Sequence, residues 1–238
     1  MLNGTSLIIG AGEIGSSLHK VIGGEIRDKV DIVGGNFDVI HICYPHFEGF
    51  VESVKEYIDK YAPKVCVIHS TVPVGTTRKC GDKCVHSPVR GKHPDLVGGL
   101  KTFHKYIGAN SEDMGDSAYE SLKDNGMNVV LKGFDGKRQS SEDTELAKIM
   151  STTYYGWNIM FNKEMKKVCD KHGVDFEFVY KKWNKSYNFG YRTMGDDKFS
   201  RPVLDHMDGK IGGHCVVQNC DLEDNYLTNS LKKYADTL

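Results

Sequence analysis

Apolar positions recur along this chain with two different periods. Near the start, "SLIIGAGEIGSSLHKVI" opens on Leu7, Ile8 and Ile9 and continues with Ile14, Leu18, Val21 and Ile22 at helical spacing. That pattern predicts a strand, a glycine turn and a helix. "FDVIHICYP" reads as a buried parallel strand ending at Pro45, and Phe50, Val51, Val54, Tyr57, Ile58 and Tyr61 then line one face of a helix. "KVCVIHSTVPVGTT" is a further strand running into a loop, "CVHSPVRG" a shorter one, and "FHKYIGA" and "NVVLKGF" supply two more. Apolar strands alternating with helices predict an α/β fold, a Rossmann-like parallel sheet covered on both faces.

Around residue 136 the texture changes. "GKRQSSEDTELAKIMSTTYYGWNIMFNKEMKKVCDKHG" predicts one long helix, with Ser140 or Ser141 as its start signal and Gly173 as its stop. Leu146, Ile149, Met150, Tyr154, Trp157, Phe161, Met165 and Val168 form its apolar side, a stripe suited to a core or a dimer interface. The remainder suggests short helices and loops. Two domains are therefore expected: 1–136, a Rossmann domain, and 137–238, a smaller, mostly helical domain built on the long helix.

Composition narrows the function classes. The 238 residues carry 31 basic and 32 acidic side chains, a formal net charge of -1, and no basic block, which argues against nucleic acid as a partner. The longest apolar runs are too short to span a bilayer, and the N-terminus lacks secretory-signal character, so the expected location is cytoplasmic. Seven cysteines, an odd number, are then expected as free thiols. Cys80 with Cys84 and Cys215 with Cys220 have spacings a zinc ion can use, but the flanking residues lack knuckle character, and no metal is expected.

The glycine turn carries the first chemistry. Gly10 permits a tight turn, Gly12 lets backbone approach a pyrophosphate, and Gly15 lets helix and strand pack closely, which makes NAD the expected cofactor. A helix N-terminus behind them offers unpaired N–H groups to phosphates. The alternative is a merely structural strand–turn–helix corner. On the dinucleotide reading the cradle is Gly10, Ala11, Gly12, Glu13, Ile14 and Gly15, with Tyr44, Pro45, Ser70 and Thr71 at later strand ends. An acid closing the second strand would bind the ribose hydroxyls: Asp28 is the first choice and Asp31 the reserve.

"GAGEIG", "STVPVGTT", "HSPVRG", "ELAKIMSTTYYGWNIMFNKEMKKVCDKHGVD" and "GKIGGHCVVQNC" occur in the order and rough spacing of the UDP-glucose/GDP-mannose dehydrogenases. The chain resembles that family over nearly its whole length. The resemblance implies an NAD-dependent oxidoreductase, a homodimer, which oxidises a primary alcohol of a sugar-type small molecule, in the family a nucleotide sugar. It implies that Cys215 attacks the intermediate aldehyde, that Lys148 stabilises the oxyanion, and that Thr71 positions water or the sugar.

Three positions depart from the family pattern. Val89 stands where "SPE" carries glutamate, Thr152 where the helix carries asparagine, and Asn219 where the cysteine loop keeps an aspartate. Thr152 and Asn219 stay in the expected catalytic set. A thioester needs its water activated, and carboxylates are the natural bases, so a covalent adduct at Cys215 is expected to form more readily than it hydrolyses. The family's second Rossmann-like domain, which grips the substrate nucleotide, is not found before Leu238. Two other readings stay open: a nucleotide-binding sensor or interaction module without catalysis, and a hydroxyacid dehydrogenase of the 6-phosphogluconate type.

Overall fold

The structure is a computed structural model that describes residues 5–28, 34–94, 96–211 and 215–238. Asp31 and the "GGH" preceding Cys215 lie outside the described residues. The chain divides into two compact units, Met1–Ile149 and Met150–Leu238.

The first unit alternates strand and helix as its periodicity predicts. β1 (Ser6–Ile9), α1 (Glu13–Ile22), β2 (Glu25–Arg27), β3 (Val39–Ile42), α2 (Phe50–Tyr61) and β4 (Val65–Ile68) come first. α3 (Thr76–Cys80), β5 (Cys84–His86), α4 (Leu96–Thr102), β6 (Lys105–Tyr106), β7 (Gly108–Ala109), α5 (Glu112–Lys123) and β8 (Val129–Val130) follow. The main sheet runs β2-β1-β3-β4-β5-β7. Every pair from β2 to β5 is parallel, and Ile8 sits opposite both Ile26 and His41. Strand order reverses beside β1, so its crevice opens at the carboxyl ends of β1 and β3, where α/β sheets bind ligands.

Two details differ from the sequence expectation. β7 pairs antiparallel with β5, and "FHKYIGA" is not one strand but two. β6 joins β8 in a small separate pair, the Ile107 N–H bonds the Val130 carbonyl at 3.1 Å, and the chain then turns back into the main sheet.

A period of two sorts the strand residues between two cores. Leu7, Ile9, Ile40, Ile42, Cys66 and Ile68 pack with Phe50 and Val54 on one face. Ile8, Val39, Val65, Val67 and Val85 pack with Leu18, Leu100, Ala118 and Leu122 on the other.

α6 (Ser141–His172) is the long helix, 32 residues. It starts where predicted: the Ser140 hydroxyl accepts from the Asp143 amide, and the Asp143 carboxylate accepts from the Ser140 amide. It stops at Gly173, whose φ of 63° is left-handed. Beyond it come a π-helical turn (Glu177–Lys182), α7 (Trp183–Thr193), α8 (Val216–Asn219) and α9 (Tyr226–Ala235), the last with a reciprocal Asn225/Thr228 cap. This is the smaller, mostly helical part.

The predicted apolar stripe is not one buried face. Ile149 is fully buried, but Leu146, Tyr154, Phe161 and Val168 are between 42% and 63% exposed. Several buried positions of α6 are instead polar or small: Thr144, Glu145, Thr153, Asn162 and Lys163, with Gly156 where a Cβ would meet Leu231 Cδ2 at 2.3 Å. Hydrogen bonds and close approach, rather than apolar area, seat these positions.

Candidate functional site

The three glycines of the first turn answer to different constraints. Gly10 has φ 107°, and a Cβ there would lie 2.9 Å from the Cys43 carbonyl carbon and the Tyr44 nitrogen. A Cβ on Gly15 would sit 1.8 Å from the Gly10 oxygen. Both glycines are demanded by the protein's own packing. Gly12 is not: a Cβ there would meet nothing within 4 Å, and its φ of -67° suits any residue. Gly12 caps the N-terminus of α1, where orphan N–H groups and the positive dipole end favour an anion. Ala11, Gly12 and Glu13 are exposed around it, Ile14 is half-buried, and the Glu13 carboxylate pairs with His93 Nδ1 at 2.7 Å.

Asp28 follows β2 directly and is exposed. The Gly10 amide donates to the Arg27 carbonyl at 2.7 Å, so Asp28 leaves the sheet alongside the glycine turn. This is the strand-end position expected of a ribose-binding acid, reached by a short β2.

The exits of β3 and β4 are tied together. Ser70 Oγ donates to the Tyr44 carbonyl at 2.5 Å, and the Tyr44 hydroxyl bonds Ser53 at 3.2 Å. Burial pushes the Tyr44 phenol above its ordinary range. Pro45 is exposed and Thr71 half-buried. Below them, the fully buried Glu145 carboxylate accepts from the Gly75 amide at 2.6 Å and the Thr77 amide at 2.8 Å. The "STVPVGTT" loop is thus held on the first turns of α6. Burial raises the Glu145 pKa, and those hydrogen bonds oppose the rise.

Beneath the strand exits lies a polar centre that hydrophobic patterning does not predict. His41, His69, His86 and Lys105 are all buried. His69 Nδ1 bonds the Ser87 carbonyl at 2.9 Å, so that nitrogen carries the proton. His69 Nε2 then accepts from His41 Nδ1 at 3.0 Å, which leaves His41 Nε2 a bare lone pair, buried and without a hydrogen-bond partner. His86 Nε2 bonds the Ser70 carbonyl at 3.1 Å, and its Nδ1 accepts from the Thr144 hydroxyl at 2.8 Å. Burial lowers His41 and His86 to about 3, so both rings are neutral. Lys105 Nζ lies 2.6 Å from the Ser87 oxygen and 3.3 Å from the Pro88 oxygen. The one signal in the sequence was a histidine in or directly after each of three successive apolar strands.

Lys148 Nζ donates to the Val89 carbonyl at 3.0 Å. The Val89 side chain is buried in the core beside Ile8 and Leu18. A position that carries glutamate in the resembled family is here part of the apolar interior.

The second unit groups other predicted residues. Cys215 is the N-cap of α8, and Asn219 closes that helix one turn later. Asn219 Nδ2 donates to Thr152 Oγ1 at 3.2 Å, so Thr152 and Asn219 are joined directly. All seven cysteines are described: Cys215 is half-exposed and the other six are buried. The segment leading towards Cys215 is anchored by buried Lys163, which donates to the Met207 and Gly209 carbonyls at 2.6 and 2.7 Å. Among the described residues no three His, Cys, Asp or Glu side chains are grouped to hold a metal ion, and no helix is long and apolar enough to cross a membrane.

Residues 142–222 match the profile of the UDP-glucose/GDP-mannose dehydrogenase family, central domain. Over this segment the chain is similar to the UDP-glucose/GDP-mannose dehydrogenases. It is 26% identical over 175 residues to the UDP-N-acetyl-D-mannosamine dehydrogenase of Methanococcus vannielii, an alignment covering 70% of this chain and 35% of that protein. The chain therefore spans about a third of the length of this curated relative. Among solved structures, a UDP-D-ManNAc dehydrogenase from Pyrococcus horikoshii superposes with a TM-score of 0.74 at 16% identity, over 98% of this chain and 68% of that one. Psf3, solved in complex with NADP+ and 2-OPP, superposes with a TM-score of 0.58 at 11% identity, over 98% and 93%. At such identities these two likenesses concern the fold. The profile match contains Lys148, Thr152, Cys215 and Asn219, and ends just after α8.

Proposed function

We propose that the first unit binds NAD at the Gly10–Gly15 turn and that the chain is a dehydrogenase acting on a primary alcohol of a sugar-type substrate. The observation that carries this reading is Gly12. The two glycines flanking it are explained by contacts within the chain, whereas Gly12 keeps open the space over a helix N-terminus where a Cβ would otherwise stand. A dinucleotide pyrophosphate fits such a cradle, and Asp28 beside the turn fits the ribose hydroxyls. An acid at that position disfavours a 2′-phosphate, so NAD rather than NADP is the cofactor of this reading.

When bound, the nicotinamide supplies hydride acceptance from the alcohol carbon. The residues supply the rest. Cys215, at the N-cap of α8 and exposed enough to meet a substrate, is the nucleophile that adds to the aldehyde. Lys148 is the cation for the resulting oxyanion, and Thr71 orients substrate or water. Asn219 and Thr152 form a neutral pair, and an amide has no basic lone pair to activate water. Acylation is therefore faster than hydrolysis in this reading. A homodimer formed in part through the exposed Tyr154, Phe161 and Val168 of α6 belongs to the same proposal and is checked by sedimentation at micromolar concentration.

A second reading, a dinucleotide-binding module without turnover, is favoured by Val89, a buried apolar side chain at a position where the resembled family carries a carboxylate. Calorimetry with NAD and NADP, followed by turnover on a panel of nucleotide sugars and simple alcohols, separates the two. Binding with reduction of NAD supports the dehydrogenase, binding without it supports the module, and absence of binding overturns both.

A further inference from the structure

The unusual feature of the first unit is a lysine buried to 3% exposure with backbone carbonyls as its hydrogen-bond acceptors. Lys105 begins β6, in the small pair with β8, and its nitrogen reaches the two carbonyls that follow β5. His69 holds the same Ser87 oxygen from the exit of β4. The next carbonyl along, that of Val89, is held by Lys148. Three consecutive residues at the carboxyl edge of the sheet are thus fixed through their backbone oxygens. The Ser87 amide completes the clamp by bonding Ile68 at 2.8 Å.

We propose that Lys105 is a positioning residue for the candidate cofactor site, setting the Ser87–Val89 backbone through its ε-nitrogen, and that proton uptake on Lys105 loosens this segment. The inference rests on the dinucleotide reading above only for its link to the cofactor. Two acceptors match the two N–H bonds of a neutral amine. A proton adds a charge to an interior in which the neighbouring titratable groups are His41 and Cys43 from β3 and its exit, His69 after β4, His86 in β5 and Lys148 in α6. Arg90 and His104 line the same small cavity as Lys105. None of these is a carboxylate, and burial with the charge of Lys148 holds Lys105 down to about 7.

The direction follows from linkage. If the segment opens, water reaches Lys105 and its affinity for a proton rises towards that of an ordinary lysine. Protons therefore favour the open segment, and the closed one gains as pH climbs from about 7 towards the ordinary lysine range. The effect reaches the cofactor side through neighbours already joined: His69 precedes Ser70, which binds the Tyr44 carbonyl, and His86 binds the Ser70 carbonyl.

Hydrogen exchange read by mass spectrometry on residues 84–92, from pH 6 to pH 9 and corrected for intrinsic rates, tests this in the full chain. Wild type is expected to gain protection as pH rises through about 7, and Lys105→Met to lose that inflection, with exchange faster by about tenfold or more at high pH for the two hydrogen bonds lost. NAD affinity should follow the same profile in wild type and not in the variant. Protection that is flat with pH in wild type, or an inflection that survives in Lys105→Met, overturns the proposal. If Lys105→Met does not fold, Lys105→Gln and the wild-type pH series decide it. If wild type binds no NAD, the cofactor reading fails while the exchange profile still decides the role of Lys105.

Discussion

The carboxylate of Glu145 accepts the backbone N–H of Thr77 at 2.8 Å, and both residues are completely buried. With Gly75 on the other oxygen, one side chain at the start of α6 holds the loop that follows β4. Removing it strands the buried Thr77 amide and the half-buried Gly75 amide. Glu145→Ala is expected to cost about 3 kcal/mol or more, and Glu145→Gln about 1–2 kcal/mol because one acceptor remains. Urea titrations with an unchanged slope check this, and a Glu145→Ala midpoint equal to that of wild type contradicts it.

The three imidazoles predict acid lability. His41 and His86 take a proton only near pH 3 in the folded chain, whereas unfolded histidines take one near 6.5. Below 6.5 the unfolded state holds more protons on these histidines, so their contribution to stability is full above that pH and is lost progressively as pH falls towards 3. The total is on the order of several kcal/mol. His69 adds in the same direction. Urea midpoints should already decline between pH 6.5 and 5, before most carboxylates titrate, and His86→Gln should make that decline shallower. A midpoint constant over that interval excludes the account.

Gly12 and Gly15 separate binding from folding. Gly15→Ala drives a methyl group into the Gly10 carbonyl and is expected to destabilise the chain by more than about 3 kcal/mol. Gly12→Val adds a side chain in open space, so stability should change by less than about 1 kcal/mol while NAD binding is lost. Thermal melts and calorimetry on the same samples give both readings. Unchanged affinity in Gly12→Val removes this turn as the cofactor site.

Much of the fold was legible because its signals are local. Leu7 to Ile9, Val39 to Ile42 and Val65 to Ile68 are short apolar runs between turn residues, and each forms a strand. The split of "FHKYIGA" was not legible, since the pairing of Lys105 with Val129 and of Gly108 with His86 depends on partners far along the chain. Nor was the burial of α6. Trp157 and Gly156 pack inward in the second unit, but so do Asn162 and Lys163, whose polar atoms bond carbonyls of the 204–209 segment. Patterning assigns such residues to the surface because it cannot see the acceptors that satisfy them. The candidate site divides the same way: its glycine turn has a sequence period, whereas Lys105 and Glu145 carry none.

Cys215 bears the last prediction. A lone thiol is more often a buried, inert residue than a nucleophile, and six cysteines here fit that description. Burial pushes Cys43 up to about 12 and raises Cys220. A hydrogen bond with Cys84, together with burial, raises Cys80, and one with Cys66, together with burial, raises Cys84. Reaction needs the thiolate and access for the reagent. Cys215, half-exposed at a helix start, has the access the others lack. Iodoacetamide at pH 7.5, read by peptide mass spectrometry, should therefore label Cys215 at least about tenfold faster than any other cysteine. NAD should change that rate if the thiol faces the cofactor, and Cys215→Ser should abolish turnover while leaving NAD affinity within about twofold. In the wild-type chain, supplied with an aldehyde and NAD, the mass of an acylated Cys215 should accumulate if the dehydrogenase reading holds, because the Thr152–Asn219 pair offers no carboxylate to activate water. Equal labelling of Cys215 and Cys220, with no effect of NAD, would show that this thiol is not the nucleophile.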